Sequence, residues 1–100
     1  MKAFQFYSQA AQYGHVGANY ELGVMFDRGV TRVVEENSEK AALHYEVAVD
    51  GGVAAAMFNL GFMYEKGRGV VRSLDRALSL WEDASALGHS KVRWSAIVLF

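Results

Sequence analysis

The sequence predicts an all-α fold of stacked helix pairs, and three observations predict it. The segments AFQFYSQAAQYG (3–14), AALHYEVAVDGG (41–52) and ALSLWEDASALG (77–88) share one pattern: Ala first, Tyr or Trp fifth, Ala eighth and Gly twelfth. Between them lie ANYELGVMFDRGV (18–30) and AMFNLGFMYEKGRGV (56–70), whose Leu22-Gly23 and Leu60-Gly61 stand 38 residues apart. Tyr7 and Tyr45 are also 38 apart, and Tyr45 and Trp81 are 36 apart. Self-similarity at such a period marks a repeat array. The third observation is periodicity: Ala56, Leu60, Met63 and Tyr64 follow the i, i+4, i+7, i+8 spacing of one helical face, and no strand alternation competes.

The chain therefore alternates two helix types, here A (Leu-Gly) and B (Ala-aromatic-Ala). In order, it reads as a B helix over about 1–13, two joined A–B pairs, and a final A-type helix from about 90, six helices in all. Gly14, Gly52 and Gly88 end the B helices as C-caps, because glycine alone adopts left-handed backbone angles cheaply. Asn37 and Ser73 each stand four residues before the B-helix alanine, where N-caps belong, with Glu39 and Asp75 in the dipole-favoured first turn. Gly61 lies on the apolar face, where a mid-helix glycine costs ~1 kcal/mol against alanine. That cost implies a packing reason, most simply another backbone coming close. Gly51, which only precedes a terminal glycine, is expected to be looser. Tyr64 and Trp81 read as core aromatics. Gly67 and Gly69 stop the second A helix, and Val70 folds back as the apolar plug of the turn. From Gly29 to Ala41 the first linker is two residues longer than the second, from Gly67 to Ala77, and lacks a counterpart for Gly69. Its Val33 and Val34 read as the corresponding plug rather than an exposed apolar spot.

Composition narrows the function classes. With 52% hydrophobic and 13% aromatic residues the chain can bury a core, which argues against disorder. A net charge of −1 with interspersed acids and bases offers no basic nucleic-acid footprint. The absence of cysteine excludes disulfides and thiolate metal sites. Neither terminus has a signal-peptide layout, and the longest apolar run, 95–100, is far below the ~20 residues of a membrane helix. No membrane association is expected, and the compartment stays open with the cytoplasm slightly favoured.

Catalytic patterns are missing. His15, His44 and His89 stand alone in sequence, and no metal or other cofactor is expected. Glu35 and Glu36 adjoin a linker and read as a solvated turn. Ser73 reads as a cap, without the GxSxG context of a nucleophile. The glycines sit at helix ends, in the wrong pattern for a phosphate loop.

The signature Ala-x-x-x-Leu-Gly-x-Met-Tyr-x-x-Gly-x-Gly-Val over 56–70, then Ala77, Trp81, Ala84 and Gly88, resembles Sel-one-like repeats. These are relatives of tetratricopeptide repeats, whose unit of about 34 residues is shorter. Residues 56–88 match one whole unit closely and 18–52 match a second less well. The chain departs in having no proline after the Gly-x-Gly-Val turn, in its longer first linker, and in Ala96-Ile97 where Leu-Gly would stand. The resemblance implies an α-solenoid of antiparallel helix pairs, a single array over 1–100 that is a fragment of a longer solenoid. It also implies that A helices line a concave groove, with the places two before and two after the leucine facing it. Those places are Tyr20, Val24, Phe58, Phe62, Trp94 and Val98, with Asp27, Arg28, Glu65 and Lys66 as a polar rim.

Aromatics in a groove suit partner recognition; the same side chains could instead fill gaps between neighbouring helices. The reading is a non-enzymatic scaffold or adaptor that binds a protein or peptide and no nucleic acid. Two alternatives stand beside it: an RNA-binding helical array, against which the near-neutral charge argues, and the docking or regulatory part of a larger enzyme. The final helix carries Val92, Trp94, Ile97, Val98, Leu99 and Phe100 with no B helix to cover them. Further repeats, a partner or a second copy are expected on that face.

Overall fold

The structure, a computed structural model, describes residues 2–88, and among them it is helical throughout apart from turns and one isolated bridge. The helices are α1 (Lys2–Gln12), α2 (Val16–Arg28), α3 (Ser38–Asp50), α4 (Ala54–Lys66) and α5 (Leu74–Ala86). The final A-type helix expected from about 90 lies outside the described residues. Each helix packs against its chain neighbour, α2 with α3 and α4 with α5 most extensively. No described helix is long and apolar enough to cross a membrane.

The turns follow from their glycines. After α1, Gly14 has φ +78° and the His15 amide donates to the Ala10 carbonyl at 3.2 Å. After α3, Gly52 has φ +86° and the Val53 amide donates to the Ala48 carbonyl at 3.0 Å. One left-handed residue and one bond back to the repeat's second alanine thus close both B helices and launch the next A helix at once. The N-caps form as the sequence predicts: the Asn37 side chain accepts from the Lys40 amide and the Ser73 hydroxyl from the Arg76 amide.

The A-to-B linkers share their anchors and differ between them. The Asn37 amide donates to the Phe26 carbonyl at 2.7 Å, and the Ser73 amide donates to the Tyr64 carbonyl at 2.9 Å. Between these fixed points the second linker turns through Gly67 and Gly69, both at positive φ, and Val70 packs against the core. The longer first linker makes a small hairpin, with Val30 and Val34 exchanging backbone bonds of 2.7 and 2.9 Å. Arg32 takes the left-handed conformation, φ +65°, that glycine supplies in the second unit. Of the two expected plug residues only Val34 serves, at 7% exposure; Val33 is 40% exposed. Alternate side chains of a short hairpin face opposite ways, so both valines cannot point inward.

The core is built on the repeat positions. Ala41, Ala48, Ala77 and Ala84 are fully buried, with Leu22, Leu60, Tyr45 and Trp81 beside them. The small alanines let the helices approach, and the two rings fill the space that remains. Both central glycines lie under those rings. A Cβ on Gly23 would meet Tyr45 Cδ1 at 2.5 Å, and one on Gly61 would meet the Trp81 indole, with Cδ1 at 2.7 Å. The close neighbour of Gly61 is therefore an aromatic ring and not the backbone that spacing alone suggests. Gly51 is also not loose: a Cβ there would overlap the Val16 side chain, because the turn before α2 is folded against the end of α3. Tyr64 is half-buried rather than fully buried, its hydroxyl donating to Glu46 at 3.1 Å and its ring lying under the Arg76 guanidinium.

Candidate functional site

The A helices carry the candidate face. Tyr20 and Val24 of α2 and Phe58 and Phe62 of α4 are half-buried, between the fully buried leucines of the same helices and solvent. They fall there because Leu22 and Leu60 point into the core, and the places two before and two after rotate away from it. The Tyr20 ring lies 6.1 Å from Tyr45, Phe58 meets Phe62 edge-on at 4.8 Å, and Phe62 meets Trp81 at 5.0 Å. Tyr20 thus rests on Tyr45 and Phe62 on Trp81, with Phe58 against Phe62. Trp94 and Val98 lie outside the described residues.

The four expected rim residues differ in their engagement. Arg28 and Lys66 are exposed at the ends of their helices, and Glu65 is half-buried. Asp27 is drawn inward: its side chain, 17% exposed, accepts from the Tyr45 hydroxyl at 3.0 Å and from Arg68 at 3.0 Å. Arg68 also donates to the Ser38 hydroxyl at 3.2 Å, and the Asn59 amide donates to the Tyr45 oxygen at 3.4 Å. One carboxylate thus links α2, α3 and the turn after α4. Burial first, and then the Asp27 carboxylate, pushes the Tyr45 phenol well above its ordinary range. The hydroxyl is held protonated as a donor. In the second unit Trp81 takes the place of Tyr45, and its indole N–H donates to the Phe58 carbonyl at 3.2 Å.

Two features went unread in the sequence. Asn19 is buried at a place where the second unit has Met57, and it bonds His44, which stands where the second unit has Leu80. His15 caps α2 through Nδ1, accepting from the Ala18 amide at 3.0 Å. The available signal was the substitution of polar for apolar residues between equivalent repeat places.

The arrangement offers apolar contact with charged groups at its margin. Among the described residues no group of three or more His, Asp or Glu side chains gathers as a metal would require. The Ser38 hydroxyl is bonded to Arg68 and the Ser73 hydroxyl to the Arg76 amide; neither contacts a histidine.

Comparison with known proteins follows the same units. The model of the family described as Sel1 repeat matches residues 1–15, 16–53 and 54–89, divisions that fall at the turns before α2 and α4. DAP3-binding cell death enhancer 1 of Rattus norvegicus is 31% identical over 99 residues, covering 99% of this chain and 19% of that protein. Protein sel-1 homolog 2 of Mus musculus is 33% identical over 84 residues, covering 83% of this chain and 12% of that protein. The chain thus spans about a fifth or less of the length of these curated relatives. Among solved structures, a Sel1 repeat protein from Oxalobacter formigenes superposes with a TM-score of 0.86 at 32% identity, over 92% of this chain and 68% of that one. Helicobacter pylori cysteine rich protein B superposes with a TM-score of 0.81 at 27% identity, over 89% of this chain and 65% of that one. Helix pairs closed by glycine under an aromatic ring, matched unit by unit across residues 1–89, place this chain in the Sel1 repeat family, whose members generally mediate protein–protein interaction.

Proposed function

We propose that this chain is a non-enzymatic interaction module that binds a protein or peptide along its A-helix face, as one stretch of a longer solenoid. The observation that carries the reading is the row Tyr20, Val24, Phe58 and Phe62, half-buried against the core, with Tyr20 seated on Tyr45 and Phe62 on Trp81. Rings already held by their neighbours lose little freedom on binding, which is what an anchor for a partner side chain needs. Trp94 and Val98 extend the row in sequence, and Arg28 and Lys66 supply exposed cations at its edge. The relatives' names agree in kind: one is called DAP3-binding, and a yeast relative is called Activator of C kinase protein 1.

Capture of partners on the immobilised chain tests the reading. Arg28→Glu/Lys66→Glu changes the rim without touching the core, and Tyr20→Ser changes the face. Glu82→Lys/Asp83→Lys, on the exposed side of α5, is the control. Loss of a captured partner in the first two variants, with their melting temperatures held and the control still binding, supports the A-helix face. Loss in the α5 control with retention in the others would put the binding surface on the B helices.

A further inference from the structure

We propose that the junction of α1, α2 and α3 is an acid-sensitive joint, in which His44, tied to the His15 turn through the buried amide of Asn19, loosens the first helix pair when it takes up a proton. Asn19 is 4% exposed, and its Nδ2 donates to the His15 carbonyl at 3.0 Å. A carbonyl only accepts, so the amide nitrogen is spent there and the amide oxygen faces His44 Nδ1 at 2.9 Å. That ring nitrogen must carry the hydrogen. Neutral His44 therefore has a bare Nε2, and its second proton enters at that atom.

The surroundings oppose the charge. The His44 ring stacks on Phe26 with centroids 5.6 Å apart and planes 4° from parallel. Phe4, Ser8, Ala11 and Gln12 of α1, with Leu22 of α2, line the same cavity, and neither helix places a charged group in it. From α3 comes Lys40, a like charge, its ammonium 5.4 Å from the Phe26 ring centre. Burial first and Lys40 second hold His44 below the ordinary imidazole range. No carboxylate among the described residues pairs with either ring. On the other side of Asn19, the His15 Nδ1 accepts the Ala18 amide and so caps α2.

The unfolded chain binds the His44 proton at about pH 6.5, before the folded chain does, so stability falls as pH drops through that value. The loss is complete once pH lies below the folded pKa. The second unit has Val53, Met57 and Leu80 at these three places, none of which titrates. In a solenoid each unit contacts only its neighbours, so one pair can loosen while the other holds.

Hydrogen exchange of the full chain at pH 7.5 and pH 5.0, corrected for intrinsic rates, tests the proposal. The expected result is protection in α2 and α3, and in α1 packed against α2, falling severalfold at pH 5.0, with α4 and α5 unchanged. The variant His15→Ser/Asn19→Met/His44→Leu gives the first unit a serine cap and, at 19 and 44, the second unit's own residues, and should remove the difference. No loss in the wild type, equal loss in both pairs, or the same loss in the variant would overturn the proposal. If the variant does not fold, proton NMR of wild-type His44 decides: titration below the free imidazole value supports the joint, and titration at or above it overturns the joint.

Discussion

In the first helix pair the ring over the glycine is Tyr45, and its hydroxyl donates to Asp27 of α2, a carboxylate that Arg68 of the turn after α4 also holds. In the second pair the ring is Trp81, and its N–H ends on the Phe58 carbonyl inside the same pair. Around the first ring lie Asn19 and His44; around the second, Met57 and Leu80. The linkers differ too, a hairpin closed by Val30 and Val34 with Arg32 left-handed against a tight Gly-Arg-Gly turn. What the pairs share is the glycine under the ring, the buried alanines and the amide bond that returns to Phe26 or Tyr64. The difference teaches that backbone geometry is fixed at a few points, and the side chains between them are free to be polar or apolar. The first pair's inner ring is tied through Asp27 to Arg68 of the next unit, and the second pair's inner ring ends within its own pair.

The largest effect that would sharpen this contrast is removal of a ring. Trp81→Ala should cost ~3–5 kcal/mol, a large share of the ~5–15 kcal/mol of a domain this size. Tyr64→Ala, at a half-buried place, should cost less, ~1–3 kcal/mol. Urea midpoints at constant m-value rank the two, and equal losses would show that Trp81 is no more central than Tyr64.

Asp27→Ala comes next. It removes the acceptor of the Tyr45 hydroxyl, which the fold keeps protonated, and should cost ~1–3 kcal/mol. Arg68→Ala removes only the outer contact of the same carboxylate, at 43% exposure, and should cost ~0–1 kcal/mol. Equal effects would mean that the carboxylate's value lies in the ion pair and not in the hydroxyl.

The linkers should respond with opposite signs. Gly69→Ala forces a side chain into φ +71° against the Ser38 carbonyl group, with a cost of ~1–2 kcal/mol from the backbone angle before any clash. Arg32→Gly relieves a similar angle in an exposed hairpin and should stabilise by up to about 1 kcal/mol, since glycine's extra freedom in the unfolded chain offsets part of the gain. Thermal melts of the two variants side by side check this, and a destabilised Arg32→Gly would contradict it.

Much of this fold was legible because its determinants are local or periodic. Asn37 and Ser73 as caps, Gly14 and Gly52 as left-handed stops, and the equivalence of Tyr45 with Trp81 all follow from spacing along the chain. What stayed illegible depends on which atoms meet across helices. Spacing shows that Gly61 must face something close, yet only the packed pair shows an indole there. Gly51 reads as slack until Val16 is folded against it. Asp27 stands where a solvated rim residue would, and a single tyrosine hydroxyl 18 residues away draws it in. The candidate face was legible as a column of aromatics; Trp94 and Val98 lie outside the described residues.

The central claim is that the mid-helix glycine exists to seat the ring of its partner helix. A double-mutant cycle on Gly61→Ala and Trp81→Leu tests it most directly, because leucine empties the space that the alanine methyl would enter. Gly61→Ala alone should destabilise, although alanine is the better helix former by ~1 kcal/mol. In the Trp81→Leu background the same change should turn neutral or stabilising, with a coupling of ~0.5–3 kcal/mol. Additivity within ~0.3–0.5 kcal/mol would mean that glycine and ring are independent, and would contradict the account.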